Sequence, residues 1–144
     1  MNIASILASK GVKVVTVQPT QTIREALRLL AEHNIGALVV VDEGERPAGI
    51  VSERDVVRTL ARTEAVFDWP VGRIMTKEVI VGGPQDDVLT VGHTMTEKRI
   101  RHLPVVERGR LIGIISIGDI VKAQRDKYQG EVDTLQTQLL QNQT

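Results

Sequence analysis

The 144-residue chain contains no cysteine and only three aromatic side chains, Phe67, Trp69 and Tyr128. The absence of cysteine excludes disulfides and thiolate metal sites, and it is typical of proteins from a reducing compartment. The scarcity of aromatic residues disfavours proteins that bind RNA or single-stranded DNA by stacking bases on aromatic rings. Any base bound by this chain would therefore have to lie between aliphatic side chains.

Net charge and long apolar runs are also missing. Lys plus Arg and Asp plus Glu each number 18, so no overall basic field attracts nucleic acid. No apolar segment approaches the roughly 20 residues that span a bilayer. Residues 1–10 lack the basic region and long apolar core of a secretory signal. We therefore expect a cytoplasmic protein that does not insert into a membrane.

The dominant feature of the sequence is an internal repeat, which is the first pattern to look for in a chain. Residues 49–55 read GIVSERD, and residues 113–119 read GIISIGD. In both copies an apolar run preceded by glycine ends in a serine, an aspartate follows three residues later, and a helical pattern comes next. Pro84 corresponds to Pro19 in the same way. The repeat therefore covers most of the chain.

The pattern of each copy predicts the order β-α-β-β-α. In the first copy we predict a strand over residues 12–17, a helix from Thr22 with Glu25 completing a capping box, and a strand over residues 35–41 that is buried on both faces. A strand over residues 48–51 and a helix from 52 to about 62 follow.

The second copy is weaker but similar. Val88, Val91 and Met95 predict one helix face, although Gly92 costs about 1 kcal/mol relative to alanine. Residues 63–71 are interpreted as the linker between the copies. Residues 6–7 belong to a short segment, the lead-in, that precedes the first copy. Residues 74–75 are expected to pack as the equivalent lead-in of the second copy.

We divide the chain into a first repeat with its lead-in (1–65), a linker and second repeat (66–123), and a helical tail (124–144). Each repeat is near the size at which a core is marginal alone, so we expect the two to share one pseudo-twofold unit. In the tail, apolar residues spaced three and four apart predict a helix that could pair as a short coiled coil. Residues 141–144 are expected to fray.

The doubled motif, together with residues 74–76, Val79 and residues 99–106 (RIRHLPVV), resembles a pair of CBS domains, the tandem called a Bateman module. The resemblance covers about residues 5–125, and the chain is similar to stand-alone bacterial proteins made of this pair. It implies an α+β fold of two β-α-β-β-α repeats packed sheet to sheet. It also implies a regulatory module, commonly a homodimer, that binds AMP, ADP, ATP, NAD or S-adenosylmethionine between the repeats and requires no cofactor.

Ser52 with Asp55, and Ser116 with Asp119, each fall at the start of a predicted helix. Free N–H groups and the positive end of the helix dipole favour a phosphate there. The aspartate carboxylate can accept hydrogen bonds from both ribose hydroxyls. The same spacing also serves as an ordinary helix cap, so capping alone remains the alternative.

The resemblance places the adenine between the first strand of a repeat and the start of its second. Gly36 and Ala37 are favoured because small side chains leave room for a ring. Lys10 and Thr76 are further sugar or phosphate candidates, with a solvated surface role as the alternative for Lys10. The other candidates implied in this way are Val15, Ile35, Val79, Ile80, Ile100, Arg101, His102 and Pro104.

The two clefts are expected to differ. Arg54 corresponds to Gly118, and residues 101–102 correspond to residues 36–37, so one cleft should carry a cation at its helix start and the other on its strand. We hypothesise that Arg54 and Arg101 both bind phosphates, with unequal affinities. The alternative is that both are surface arginines paired with Glu53 or Glu97.

The sequence contains no pattern for catalysis or metal binding. His33, His93 and His102 share no metal-ligand spacing with nearby carboxylates, and no nucleophile–base pair or phosphate-binding glycine loop is present. We therefore expect no enzyme but a nucleotide sensor that acts on an unknown protein target by a population shift. A scaffold with empty clefts is the alternative, and a nucleic-acid binder is less favoured.

Overall fold

The computed structural model describes residues 1–11 and 14–142. It is an α+β fold of two repeats, with two short 3-10 turns, Glu64–Asp68 and Val71–Arg73, between them. The helices and strands are α1 Ile3–Lys10, β1 Thr16–Val17, α2 Ile23–His33, β2 Ala37–Val41, β3 Pro47–Ser52, α3 Glu53–Leu60, α4 Val88–Lys98, β4 His102–Glu107, β5 Arg110–Ser116 and α5 Ile117–Asn142.

The first repeat forms a three-stranded sheet in which β1 is parallel to β2 and β2 is antiparallel to β3. β2 is buried along its whole length, as its continuous apolar sequence predicts. The hydroxyl of Thr22 accepts the N–H of Glu25, and α2 ends at Asn34 in the left-handed conformation. The strand predicted over residues 12–17 is observed only as β1, and residues 12 and 13 lie outside the described residues.

The second repeat contains only the two-stranded sheet β4–β5. The CBS resemblance implies a first strand of the second repeat at Val79 and Ile80, but no strand forms there, so that expectation was wrong. Instead, Gly82 makes a single parallel bridge to Val105, with its N–H donating to Pro104 at 2.9 Å. Residues 82–84 are Gly-Gly-Pro, and a proline has no N–H with which to extend a ladder.

The hydrophobic residues form two cores, and each core takes in a lead-in from outside its own repeat. Val66 and Val71, both fully buried in the linker, pack in the core of the first repeat. Ile3, Ile6 and Leu7 of α1 pack in the core of the second repeat. The lead-ins are therefore exchanged, which ties the two repeats into one unit.

Two glycines at equivalent positions show that the lead-ins match. A Cβ on Gly113 would lie 2.5 Å from Cδ2 of Leu7, and one on Gly49 would lie 2.7 Å from Sδ of Met75. Each glycine thus allows a lead-in side chain to lie directly on the strand. The predicted equivalence of residues 6–7 and 74–75 is confirmed.

The predicted tail helix is part of α5, which continues from the second repeat through Gly130 without a break. Every described residue from 125 to 142 is exposed. Of the four residues expected to fray, 141 and 142 belong to α5, whereas 143 and 144 lie outside the described residues. Within the described part of the chain, no helix combines the length and apolarity needed to cross a bilayer.

Candidate functional site

A cleft of about 830 Å³ opens between the two repeats. Three chain segments form its walls: the start of α3, the extended segment 76–80, and the turn that leads from α4 into β4. Its lining residues are Gly36, Ile50, Ser52, Glu53, Arg54, Asp55, Val57, Arg58, Thr76, Glu78, Val79, Ile80, Arg99, Ile100, Arg101 and His102. We call this the central cleft.

The start of α3 is held by a reciprocal capping box. The N–H of Ser52 donates to Oδ2 of Asp55 at 2.9 Å, the Ser52 hydroxyl donates to the same atom at 3.0 Å, and the N–H of Asp55 donates to Oγ of Ser52 at 3.2 Å. The predicted capping role is therefore real. Because both bonds to the carboxylate of Asp55 use Oδ2, the other carboxylate oxygen, Oδ1, takes no part in the cap and remains an acceptor for a ligand.

The segment 76–80 is fixed by backbone pairing with β3. The N–H of Thr76 donates to the carbonyl of Ile50 at 2.8 Å, and the N–H of Ile50 donates back to Thr76 at 3.0 Å. This pairing orients the following residues along the cleft, where Val79 and Ile80 are half-buried. With half-buried Ile100 on the β4 side, the cleft has aliphatic walls that could enclose a flat ring.

Four arginines, Arg54, Arg58, Arg99 and Arg101, line the same cleft. The expectation that Arg54 and Arg101 lie in different clefts was wrong. The physical reason is that this cleft combines the helix start of the first repeat with strand residues of the second. The cationic groups of both repeats therefore converge, with Glu53, Asp55 and Glu78 as the acidic groups beside them.

Arg58 and Arg99 were not among the residues predicted from the sequence. Arg58 lies one helical turn after Arg54, so the spacing of four residues could have indicated that both share a face. Arg99 is in the left-handed conformation, with φ of 55°, at the C-terminal end of α4. Its position at the mouth of the cleft depends on how the repeats dock, for which the sequence carries no local signal.

His102 begins β4 and lines the cleft from the second repeat. Burial of the ring lowers its pKa, and the positive charge of Lys10 lowers it further, whereas the carboxylate of Asp119 opposes the shift. These effects favour the neutral imidazole near pH 7, because the ordinary value of 6.5 is already below neutrality. His102 therefore contributes a hydrogen-bonding ring to the free cleft rather than a full charge.

The second serine–aspartate pair differs from the first in having a lysine on its carboxylate. The N–H of Ser116 donates to Oδ2 of Asp119 at 2.9 Å, and the ammonium of Lys10 donates to the same oxygen at 2.7 Å and to the carbonyl of Ile114 at 2.9 Å. Burial alone would raise the pKa of Asp119, but the Lys10 and Ser116 hydrogen bonds outweigh it and lower the pKa.

The remaining predicted ligand residues divide between the cleft and the cores. Ser52, Arg54, Asp55, Thr76, Val79, Ile80, Ile100, Arg101 and His102 meet in the central cleft, and Gly36 joins them from the first repeat. Outside its lining lie Val15, Ile35, Ala37 and Pro104, together with Lys10, Ser116 and Asp119. Val15 and Ile35 pack against the first core, and Ala37 and Pro104 are buried.

Comparison with known proteins gives matches along most of the chain. The model of the CBS domain family matches twice, at residues 5–62 and 71–126. A mitochondrial CBS domain-containing protein of Arabidopsis thaliana, CBSX3, is 40% identical over 119 residues. That alignment includes 79% of this chain but spans only 58% of the length of the plant protein.

Solved structures show the same arrangement. A CBS-domain containing protein from Agrobacterium tumefaciens matches with a TM-score of 0.81 and 42% identity over 86% of this chain and 99% of that chain. The CBS domain pair of protein MJ0100, solved with 5-methylthioadenosine and S-adenosyl-L-methionine, matches at 0.79 and 29% identity, covering 88% and 98%. A CBS domain protein from Pyrobaculum aerophilum, complexed with AMP, matches at 0.75 and 31% identity, covering 83% and 89%.

Proposed function

This chain belongs to the CBS domain family, and we propose that its central cleft binds an adenosine-containing ligand, making the chain a nucleotide-responsive regulatory module. The observation that carries the proposal is the composition of the cleft: a capped helix start with a spare carboxylate oxygen faces half-buried aliphatic walls. These are the groups needed for the sugar and the base of one ligand. The role is binding alone, with no bond made or broken in the ligand.

The parts of an adenine nucleotide match separate parts of the cleft. Val79, Ile80 and Ile100 offer apolar surface to the base, which suits a chain with almost no aromatic residues. Oδ1 of Asp55 can accept hydrogen bonds from ribose hydroxyls. Phosphates would lie near the N-terminus of α3, where the positive end of the helix dipole and Arg54 favour negative charge.

Two structural relatives support this choice of ligand class. The Pyrobaculum protein was solved with AMP, and the MJ0100 pair with 5-methylthioadenosine and S-adenosyl-L-methionine. These ligands share adenosine but differ in what is attached to its 5′ carbon. We infer that adenosine is the common element for this chain too, and that the four arginines favour a phosphorylated form.

Ligand binding would act through the relative arrangement of the repeats. The cleft takes Ser52 and Asp55 from one repeat and Ile100 to His102 from the other. A ligand that touches both stabilises the arrangement in which these groups converge, and it shifts the population toward that arrangement by its difference in affinity. We expect a homodimer to pass this change to a protein target.

The two serine–aspartate sites would not be equal. Both caps use Oδ2, but the ammonium of Lys10 neutralises the carboxylate of Asp119 and so weakens it as an acceptor for ribose hydroxyls, whereas Asp55 makes no ion pair within the described residues. We therefore infer that a ligand occupies the central cleft at Asp55 first. This retains the expectation of unequal affinities but assigns the difference to Lys10 rather than to separate arginine sites.

The test is a thermal-shift and calorimetric panel of AMP, ADP, ATP, NAD and S-adenosylmethionine against the wild type, Asp55→Asn and Asp119→Asn. A ligand that binds only the folded state raises the melting temperature as its concentration passes Kd. We expect a shift with at least one ligand that Asp55→Asn weakens strongly and Asp119→Asn weakens little. No shift with any ligand would favour the scaffold with empty clefts.

A further inference from the structure

Helix α5 carries an exposed apolar stripe along most of its length. Val121, Tyr128, Val132, Leu135 and Leu139 are spaced by seven, four, three and four residues, and their side chains are between 46% and 63% exposed. This spacing is that of the a and d positions of a heptad repeat, whose period of 3.5 residues gives a seam on one side of the helix.

A lone helix of this composition would be marginal in water. Residues 125–142 are all exposed, and they include Gly130, Val132, Thr134 and Thr137, none of which is a strong helix former. Most helical stability in proteins comes from packing of an apolar face, and isolated helices near this length are marginal even when rich in alanine. A partner surface on the stripe would supply that stabilisation.

We propose that this partner is the tail of a second copy of the chain, paired in parallel as a two-stranded coiled coil. In the heptad register, Tyr128 and Leu135 occupy d positions, and Val132 and Leu139 occupy a positions. A β-branched residue at a with leucine at d favours parallel dimers, and Val132 followed by Leu135 fits that preference. Arg125 falls at the preceding a position, where one polar residue sets the register.

The charges beside the stripe favour an identical partner. The e positions within the tail are Gln129 and Gln136, and the g positions are Gln124, Glu131 and Gln138. In a parallel pair each g residue faces an e residue of the other helix, so Glu131 meets Gln136 and no like charges oppose each other at the g and e positions, although Arg125 at a faces its own copy. A coiled coil that selects a different protein by charge would instead carry lysine, arginine or glutamate at most of these positions.

Tyr128, Val132, Leu135 and Leu139 lie beyond both matches to the CBS family model, the second of which ends at residue 126. The proposed pairing does not depend on nucleotide binding, so it can be tested whether or not the proposed function holds. It would hold the two copies together even if their clefts open and close. The stripe continues to Val121, so the seam begins beside the second repeat.

The test uses the absence of native cysteine, because a single introduced thiol can cross-link only with the same position of another copy. Leu135→Cys places the thiol at a d position, inside the proposed seam. Leu140→Cys is the matched control, since Leu140 is similarly exposed (67% against 59%) but falls at a b position, away from the seam. A disulfide needs the two Cβ atoms to approach within roughly 3.5–4.5 Å.

We expect Leu135→Cys to form a covalent dimer on mild oxidation at least tenfold faster than Leu140→Cys, as read on a non-reducing gel. In the Leu135→Cys background, Leu139→Glu should slow cross-linking at least tenfold, whereas Leu140→Glu should leave it unchanged. No cross-link at residue 135 would overturn the proposal and point to a free tail, an antiparallel pair or a different partner. Equal cross-linking rates for Leu135→Cys and Leu140→Cys would also overturn the proposal, because they would show that the thiols meet by random collision.

Discussion

The ammonium of Lys10 lies 2.7 Å from Oδ2 of Asp119, whereas among the described residues Asp55 makes no ion pair of this kind. The two serine–aspartate caps therefore share their backbone geometry but differ in what their carboxylates can offer a ligand. The sequence made Lys10 a candidate sugar or phosphate contact, with a solvated surface role as the alternative. In the structure its ammonium donates to Oδ2 of Asp119 and neutralises the carboxylate that a ribose hydroxyl would use.

Replacement of Lys10 tests this competition. Lys10→Met removes the ammonium from Asp119, and we expect the number of nucleotides bound per chain in calorimetry to rise from one toward two. Lys98→Met, at an exposed site in the last turn of α4, is the control and should change nothing. A fall in affinity at unchanged stoichiometry would instead make Lys10 a ligand contact.

Asp55→Ala separates ligand binding from helix capping. Losing the cap should lower the free energy of unfolding by about 0.5–2 kcal/mol. If Asp55 also binds ribose, losing hydrogen bonds to a charged group costs about 1.5–3 kcal/mol of binding, or roughly 10- to 150-fold in Kd. Calorimetric titration measures the second effect.

The matched control for Asp55 is Asp87→Ala. Asp87 caps α4 through the N–H of Thr90 at 3.0 Å, and it does not line the central cleft. This variant should also lower the melting temperature but leave the ligand affinity at the wild-type value. If both variants bind ligand as the wild type does, Asp55 serves only as a cap.

The arginines of the central cleft should matter most for ligands with several phosphates. We expect Arg101→Ala to weaken ATP by roughly five- to tenfold, on the order of 1–1.4 kcal/mol, and AMP by less. Arg46→Ala, in the exposed turn between β2 and β3, removes the same charge outside the cleft. Equal losses in the two variants would show that only the overall charge matters.

The exchanged lead-ins predict the effect of alanine at the two glycines. Gly49→Ala and Gly113→Ala should each lower the free energy of unfolding in urea by about 1–3 kcal/mol, because the added methyl group overpacks the strand. Gly49→Ala should cost more, since its Cβ would lie 2.8 Å from the backbone carbonyl oxygen of Thr76, whereas Leu7 can shift its side chain.

Gly130→Ala is the control for these two variants. Nothing lies within 4 Å of a Cβ at Gly130, which is inside α5, so alanine should favour the helix by about 0.5–1 kcal/mol. If Gly49→Ala had the same free energy of unfolding as Gly130→Ala, this result would contradict the close packing of Met75 and Thr76 on β3.

The pKa of His102 gives the stability a pH dependence of known sign. Because the folded-state pKa lies below the unfolded value of 6.5, the unfolded chain binds the extra proton first as the pH falls. The stabilisation is complete above pH 6.5 and is lost on acidification from there toward the folded-state pKa. In His102→Gln, the free energy of unfolding measured in urea should vary less with pH in this window, and its pH dependence above pH 7.5 should match that of the wild type. The same pH dependence in both proteins below pH 6.5 would contradict the prediction.

The sequence predicted the local parts of the fold well. The Thr22 cap, the Asn34 end of α2 and the buried strand β2 depend on residues that are close together in the sequence, so they can be predicted from the local sequence. The expectation of a first strand in the second repeat was wrong, because Gly82 makes only a single bridge there. A pattern of alternating or β-branched residues does not reveal whether a neighbouring strand is available.

The site was predicted less completely than the fold. Ser52, Asp55, Thr76 and Ile100 meet in one cleft, whereas the comparison of the two copies had assigned the helix start of the first and the strand residues of the second to different clefts. The convergence of Arg54 with Arg101, and the contact of Lys10 with Asp119, depend on how two distant segments dock. Such contacts follow from tertiary packing, and no spacing within the sequence encodes them.

The exchanged lead-ins also impose an order on the chain as it leaves the ribosome. The first core can close once Val66, Val71 and Met75 have emerged. Helix α1, although synthesised before the first repeat, must wait with Ile3 and Leu7 exposed until Ile115 and Ile120 of the second repeat appear. A segment made before the first repeat is thus buried after it, and a polypeptide released before the second repeat is made would carry that apolar helix uncovered.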